Sequence, residues 1–306
     1  MAAAVEVAGH LAPRPRGRGR VGPVVLLGPA FACLALFVGF PIAATVVLSF
    51  FRYNAFTREV TWAGLEYWAE LLAGGELWPA FLHTVGYAAV VVPVQVGGGL
   101  LLALLVNAVR RGGTLWRTLL FAPAACTLAA TGVAWRWIFY PDAGVFDQTV
   151  GRLAGVTNWL STPGFALVAV ALVGAWFGVG ESMILFLAGL TGVSASATDA
   201  ARVDGANAWH RFAAVTWPAL GPAALFATVV ATADSLRVFD QVRVMTGGGP
   251  AGASTTLSYL QYTIGIESFD IGRGSVVSLL ILALVLVAIG VQLRLAGRRV
   301  DRAVTR

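Results

Sequence analysis

ATDAARVDGANAWHRFAAVTWPAL, residues Ala197–Leu220, is a polar island between two long apolar runs. It carries Asp199, Arg202, Asp204 and Arg211 around a central Gly205. In a chain this apolar, such a segment must leave the bilayer, and its helical spacing suggests that something docks on it. Thr198 or Ser196 is placed to N-cap a short helix, with Asp199 in its first turn, where the helix dipole favours an acid. Ala200, Ala201 and Ala206 keep one face small, so that another surface can approach closely. Gly205 is a natural break. A second short helix, Asn207–Ala214, is expected next. Pro218 then opens the following apolar run, at a position where its missing N–H does least harm.

The composition around the island sets the class. The 306 residues are 58% hydrophobic and only 12% charged, with a mean hydropathy of +0.79. Soluble domains carry about 25% charged residues. The apolar residues cluster into runs near the ~20 residues that cross a bilayer. The expectation is an all-α, polytopic membrane protein with six transmembrane helices. The spans are drawn at Val24–Phe50, Ala80–Val106, Leu119–Tyr140, Phe165–Leu190, Trp217–Val238 and Ser275–Leu295.

Arginine sets the orientation, because basic residues accumulate in cytoplasmic loops. With the N-terminus inside, fourteen arginines fall in cytoplasmic pieces and five in outer loops. Both termini are then cytoplasmic. Residues 1–22, rich in Ala, Pro, Gly and Arg, read as a disordered basic tail. Residues 23–297 form the membrane domain, with a cytoplasmic loop at 191–216, and 298–306 form a second basic tail. The first apolar run is too long for the h-region of a signal peptide. Trp135, Trp137 and Tyr140, Trp62, Tyr67, Trp68 and Trp78, and Trp159 read as interface anchors.

Several chemistries are excluded. All 21 basic residues are Arg. A Walker A loop needs Lys, so ATP is not bound here in that way, and lysine Schiff-base chemistry is excluded as well. Cys33 and Cys126 lie in apolar runs and read as small buried hydrophobes. His10, His83 and His210 are far apart and show no metal-ligand spacing. No catalytic constellation appears, so the chain is not expected to be an enzyme, and no nucleic-acid partner is expected.

The island resembles the cytoplasmic loop of bacterial ABC importer permeases. Their pattern is Glu-Ala-Ala, three residues, Gly, nine residues, then Ile-x-Leu-Pro. Here Asp199-Ala200-Ala201, Gly205 and Val215-Thr216-Trp217-Pro218 stand at matching positions, with Asp for Glu, Val for Ile and Trp for Leu. Other stretches resemble the sugar-importer branch, of maltose or glycerol-phosphate type. They are Ile184–Leu190, Phe239-Asp240-Gln241, Met245–Pro250, Ser254–Leu257, Phe269–Gly272 and Trp159-Leu160-Ser161. The resemblance covers roughly 24–297.

It implies a type I importer transmembrane domain in the bacterial cell membrane. The implied partners are a second permease subunit, a cytoplasmic ATPase dimer that holds ATP and Mg, and an extracytoplasmic sugar-binding protein. The chain itself would need no cofactor. Asp199, Ala200, Ala201, Arg202, Asp204, Gly205 and Pro218 would belong to the ATPase-coupling loop.

Polar groups inside a bilayer usually face a cavity or a partner. The two spans flanking the island therefore supply the candidate substrate path: Phe177, Glu181, Asp234 and Ser235. Asp234 and Arg237, spaced i and i+3, are able to pair. Gly174 and Gly178 form a small-xxx-small packing face. The Gly-rich outer loop Thr246–Pro250 is expected to be a flexible turn. The alternative reading is an ion-coupled secondary transporter with Glu181 and Asp234 as relay groups. Such proteins commonly show paired repeats, and no clear internal repeat is visible.

Overall fold

A computed structural model describes residues 21–304 except Arg110 and Asp142, without the side chains of 21–26, 154 and 298–304. The tail expected at 1–22 thus lies, up to residue 20, outside the described residues. The chain divides into two compact units, Met1–Val47 and Leu48–Arg306. In the first, Val21–Leu34 and Phe40–Leu48 are joined through a π-helical turn at Ala35–Gly39. They carry an apolar stretch, Leu27–Leu48, long enough to cross a membrane.

The second unit is almost wholly helical. Among the described residues its one sheet is an antiparallel pair, Phe51–Tyr53 with Val60–Trp62, in which Phe51 faces Trp62. Among the described residues of this unit, three unbroken helices are long and apolar enough to span a membrane: Leu77–Ala108, Phe165–Leu190 and, within Ile271–Val304, the stretch Ile271–Gly297. Two bent pairs complete six spans if each counts as one. The last helix continues to Val304, through most of the segment expected as a separate tail.

The bends are where the structure departs from the expected spans. Leu119–Tyr140 is not one rod. Gly113–Ala125 and Leu128–Ile138 meet at 94°. Pro123 sits in a 3-10 turn, Ala122–Ala125, and lacks the N–H that would continue an α-helix. Thr127 then caps a new helix, its Oγ1 accepting from Ala130 N at 3.4 Å. Likewise Ala208–Ala219 and Gly221–Leu236 meet at 67°. Pro218 therefore does not start the helix Gly221–Leu236. It lies near the end of the first helix of the bent pair, and the second helix begins at Gly221-Pro222.

Phe165–Leu190 is the central element, with 61% of its apolar window buried. Small residues let its neighbours approach closely. Gly174 lies under the Tyr87 ring and hydroxyl, and Gly178 under the Gln95 amide. Reciprocally, Gly98 on the Leu77–Ala108 helix meets Val179, and Gly99 meets Ser182 and Met183. The Gly174–Gly178 pair is thus the packing face that the spacing predicted. Gly189 touches Ala223 and Leu220, which joins the fourth and fifth spans at the end nearest the island.

Three expectations for side chains are corrected. Cys33 and Cys126 are exposed rather than buried. Trp159 is no interface anchor: only 8% exposed, it packs among Phe139, Phe146 and Phe165. Its indole Nε1 donates to Val156 O at 3.0 Å, which satisfies its one polar group in the interior. The Thr246–Pro250 turn is closed rather than loose. Ser254 Oγ donates to Gly249 O at 2.7 Å and lies 2.8 Å from Thr246 Oγ1, and Ser254 is fully buried.

Candidate functional site: a cavity and an exposed helical loop on the same two helices

The island folds as two short helices around a glycine turn. The first is Ala195–Val203. Its N-cap is Ser194, whose Oγ accepts from Ala197 N at 3.3 Å, and not Thr198 or Ser196. The helix starts earlier than expected, so Asp199 falls in its second turn. There it accepts from Arg202 Nη1 at 2.8 Å, with both side chains more than half exposed. An exposed pair at this spacing contributes only a few tenths of a kcal/mol.

Gly205 ends the helix at φ 76°. Ala206 N donates to Ala201 O at 3.0 Å and Gly205 N to Arg202 O at 3.1 Å. These are the two bonds of a Schellman motif, which needs a left-handed residue at this position. Asn207 then caps the next helix, its Oδ1 accepting from His210 N at 2.9 Å. Arg211 Nη1 donates to Ala206 O at 2.7 Å and ties the second helix back to the turn. Arg211 is thereby a structural member of the loop, while Asp204, Gly205, Val203 and Trp209 stay exposed.

The four residues expected along a path come together. Phe177 and Glu181 from one helix, and Asp234 and Ser235 from the next span, line one cavity of about 320 Å³. Arg237 Nη2 donates to Asp234 Oδ1 at 3.0 Å, so the predicted pair forms at the rim. Glu181 is half-buried and Ser235 is 4% exposed.

Sequence reasoning missed what the Leu77–Ala108 helix adds. Tyr87, Val91 and Gln95 line the same cavity. Gln95 is the one amide within residues 80–106, a signal that was there to be used. Asp240 and Gln241 line it too, although the sequence offered them only as part of a resemblance.

Phe239 links the cavity to an aromatic cluster outside its lining. Phe239, also at the cavity, lies 5.1 Å from the Tyr262 ring and 6.4 Å from Tyr259. Arg243 sits 4.1 Å over the Tyr262 ring and donates to Glu267 Oε1 at 3.0 Å. Apolar faces with a few convergent polar groups are what a small-molecule site requires. The arrangement holds hydrogen-bond donors, acceptors and aromatic surface, with no nucleophile–base pair. Among the described residues, no three His, Cys, Asp or Glu side chains come together as a metal site would need.

Apolar helices thus surround a polar cavity, with a capped helical loop between two of them, as a membrane permease would require. Residues 67–306 match the family described as binding-protein-dependent transport system inner membrane component, and the chain belongs to it. It is a multi-pass permease component and not an enzyme. It is 32% identical over 272 residues to the trehalose/maltose transport system permease protein of Thermococcus litoralis, covering 87% of this chain and 90% of that one. It is 31% identical over 286 residues to the sn-glycerol-3-phosphate transport system permease protein of Brucella abortus, covering 92% and 96%. A bacterial alginate ABC transporter, solved in complex with an alginate pentasaccharide-bound periplasmic protein, shares the fold. Its TM-score is 0.76 at 17% identity, over 90% of this chain and 94% of that one.

Proposed function

We propose that this chain is one permease subunit of an ATP-driven, binding-protein-dependent importer of a carbohydrate. The observation that carries the reading is mechanical. The helices Phe165–Leu190 and Gly221–Leu236 both line the cavity, and both lead into the island around Asp199–Gly205. A partner that moves the island would move the two walls that hold Phe177, Glu181, Asp234 and Ser235.

In this reading the island docks on a cytoplasmic ATPase subunit through Asp199, Ala200, Ala201, Arg202, Asp204 and Gly205. Pro218 stiffens the end of its second helix. ATP and Mg belong to that ATPase dimer, since the chain has no Lys for a Walker A loop. A second permease subunit closes the cavity on its other side, and an extracytoplasmic binding protein delivers the sugar. That arrangement puts both termini in the cytoplasm, with residues 23–297 as the membrane domain between the basic segments 1–22 and 298–306.

The capped and glycine-terminated geometry of the island supports a rigid docking element. The trehalose/maltose and sn-glycerol-3-phosphate relatives support a polyhydroxylated substrate. No observation favours the ion-coupled alternative, and Asp234, one of its two relay groups, is engaged by Arg237.

The test is uptake of radiolabelled sugar by cells carrying the complete importer. Inactivating the partner ATPase should abolish uptake, and a protonophore with ATP maintained should not. Uptake that survives loss of the ATPase but collapses with the protonophore would overturn the proposal.

A further inference from the structure

We infer that the cavity selects uncharged or cationic saccharides and turns anionic ones away. This rests on the importer reading and narrows its substrate class. Relatives of similar identity are named for transport of neutral trehalose and maltose and of anionic sn-glycerol 3-phosphate, so family membership leaves the charge open.

The lining decides it. Three carboxylates, Glu181, Asp234 and Asp240, face one guanidinium, Arg237. Arg237 is already engaged: Nη2 donates to Asp234 Oδ1 at 3.0 Å and Nε to Ala233 O at 3.0 Å. Glu181 and Asp240 form no ion pair with any described residue. A site for phosphate or carboxylate offers a free Arg fork or open backbone N–H groups. The helix N-terminus at Leu128, which borders this cavity, is already capped by Thr127 Oγ1.

What the cavity offers instead suits hydroxyl groups. Gln95 and Ser235 line the cavity as residues 5% and 4% exposed, and neither side chain is among the buried polar groups sealed off without a partner. Their amide and hydroxyl open onto the cavity, where a sugar hydroxyl can exchange for water as the hydrogen-bond partner. Phe177 and Phe239 supply the apolar faces. An added negative charge would meet two carboxylates that no guanidinium offsets, Glu181 half-buried and Asp240 exposed.

The experiment measures uptake by whole cells carrying the complete importer, with substitutions in this chain alone. The probes are maltose, trehalose and lactose, cationic glucosamine, and anionic maltobionate and sn-glycerol 3-phosphate. The wild type is expected to carry a neutral or cationic probe at least about tenfold faster than either anion. Glu181→Gln and Asp240→Asn should each narrow that ratio severalfold. Asp240 is exposed, so Asp240→Asn keeps the test standing if a change at half-buried Glu181 impairs insertion.

Anion uptake equal to that of the neutral probes would overturn the inference and leave the importer reading intact. So would a ratio that neither variant moves, because discrimination would then lie in another subunit. If no saccharide of any charge enters in an ATP-dependent way, the importer reading itself falls, and the inference with it.

Discussion

Gln95 lies across Gly178, its amide filling the space that a β-carbon on Gly178 would need. The contact joins the second and fourth spans at the cavity wall, so packing and substrate chemistry meet at one point. Gly178→Ala should push the amide aside and cost about 1–3 kcal/mol, the usual range for overpacking. Adding Gln95→Ala restores the space, so the double variant should melt above Gly178→Ala alone. Transport should stay low in both, because the amide is displaced in one and absent in the other. Thermal unfolding of the purified importer and sugar uptake separate the two effects. A double variant with normal uptake would show Gln95 to be packing only.

The Asp234–Arg237 pair is more than half exposed on both sides. Exposed ion pairs contribute about 0–1 kcal/mol, so Asp234→Asn should barely move the melting temperature. Its carboxylate nonetheless faces the cavity, and the substitution frees the Arg237 guanidinium. Uptake of the natural sugar should fall severalfold while stability holds. A loss of stability with unchanged uptake would make the pair purely structural.

The caps of the island make a local prediction. Ser194 and Asn207 each satisfy a backbone N–H at a helix start. Replacing either with Ala costs about 1 kcal/mol of helix stability. Amide hydrogen exchange across 195–211 should quicken roughly fivefold, while the core of Phe165–Leu190 stays protected. The effect should be larger for Asn207→Ala, since Asn207 Oδ1 also contacts His210 Nδ1 at 2.8 Å.

The parts of the fold that were legible are those where one strong physical signal dominated. The fourth span was bounded at Phe165–Leu190 because its apolar run holds no proline and a charged loop follows. Asp234 with Arg237 and Gly174 with Gly178 followed from helical spacing alone. The bends were harder. Pro123 and Pro218 were visible, but whether a proline kinks a helix or sits harmlessly in its first turn depends on where the helix starts. That was set by Thr127 in one case and by Gly221-Pro222 in the other.

The start of the island helix was misplaced for a similar reason. Ser194, Ser196 and Thr198 are all competent caps, and the turn after Leu190 decides among them. At the cavity, Tyr87 and Gln95 were missed because they reach it from a helix remote in sequence. Only tertiary packing through Gly174 and Gly178 brings them there.

Gly205 is where conformation and docking are separable. It adopts φ 76°, and a β-carbon built there meets nothing within 4 Å. Within this chain, the glycine is required for its backbone and not for space. A left-handed residue with a side chain costs about 1–2 kcal/mol, least for Asn. If the loop needs only its Schellman turn, Gly205→Asn should transport nearly normally, and Gly205→Val, whose branched side chain strains the turn, should not. If an ATPase surface closes over this point, as proposed, the side chain itself becomes the obstacle. Both variants should then lose coupled uptake while the chain inserts and the ATPase still hydrolyses ATP. The docking proposal expects the second pattern. Near-normal uptake in Gly205→Asn would reduce the glycine to a turn former and move the contact elsewhere on the Ala195–Val203 helix.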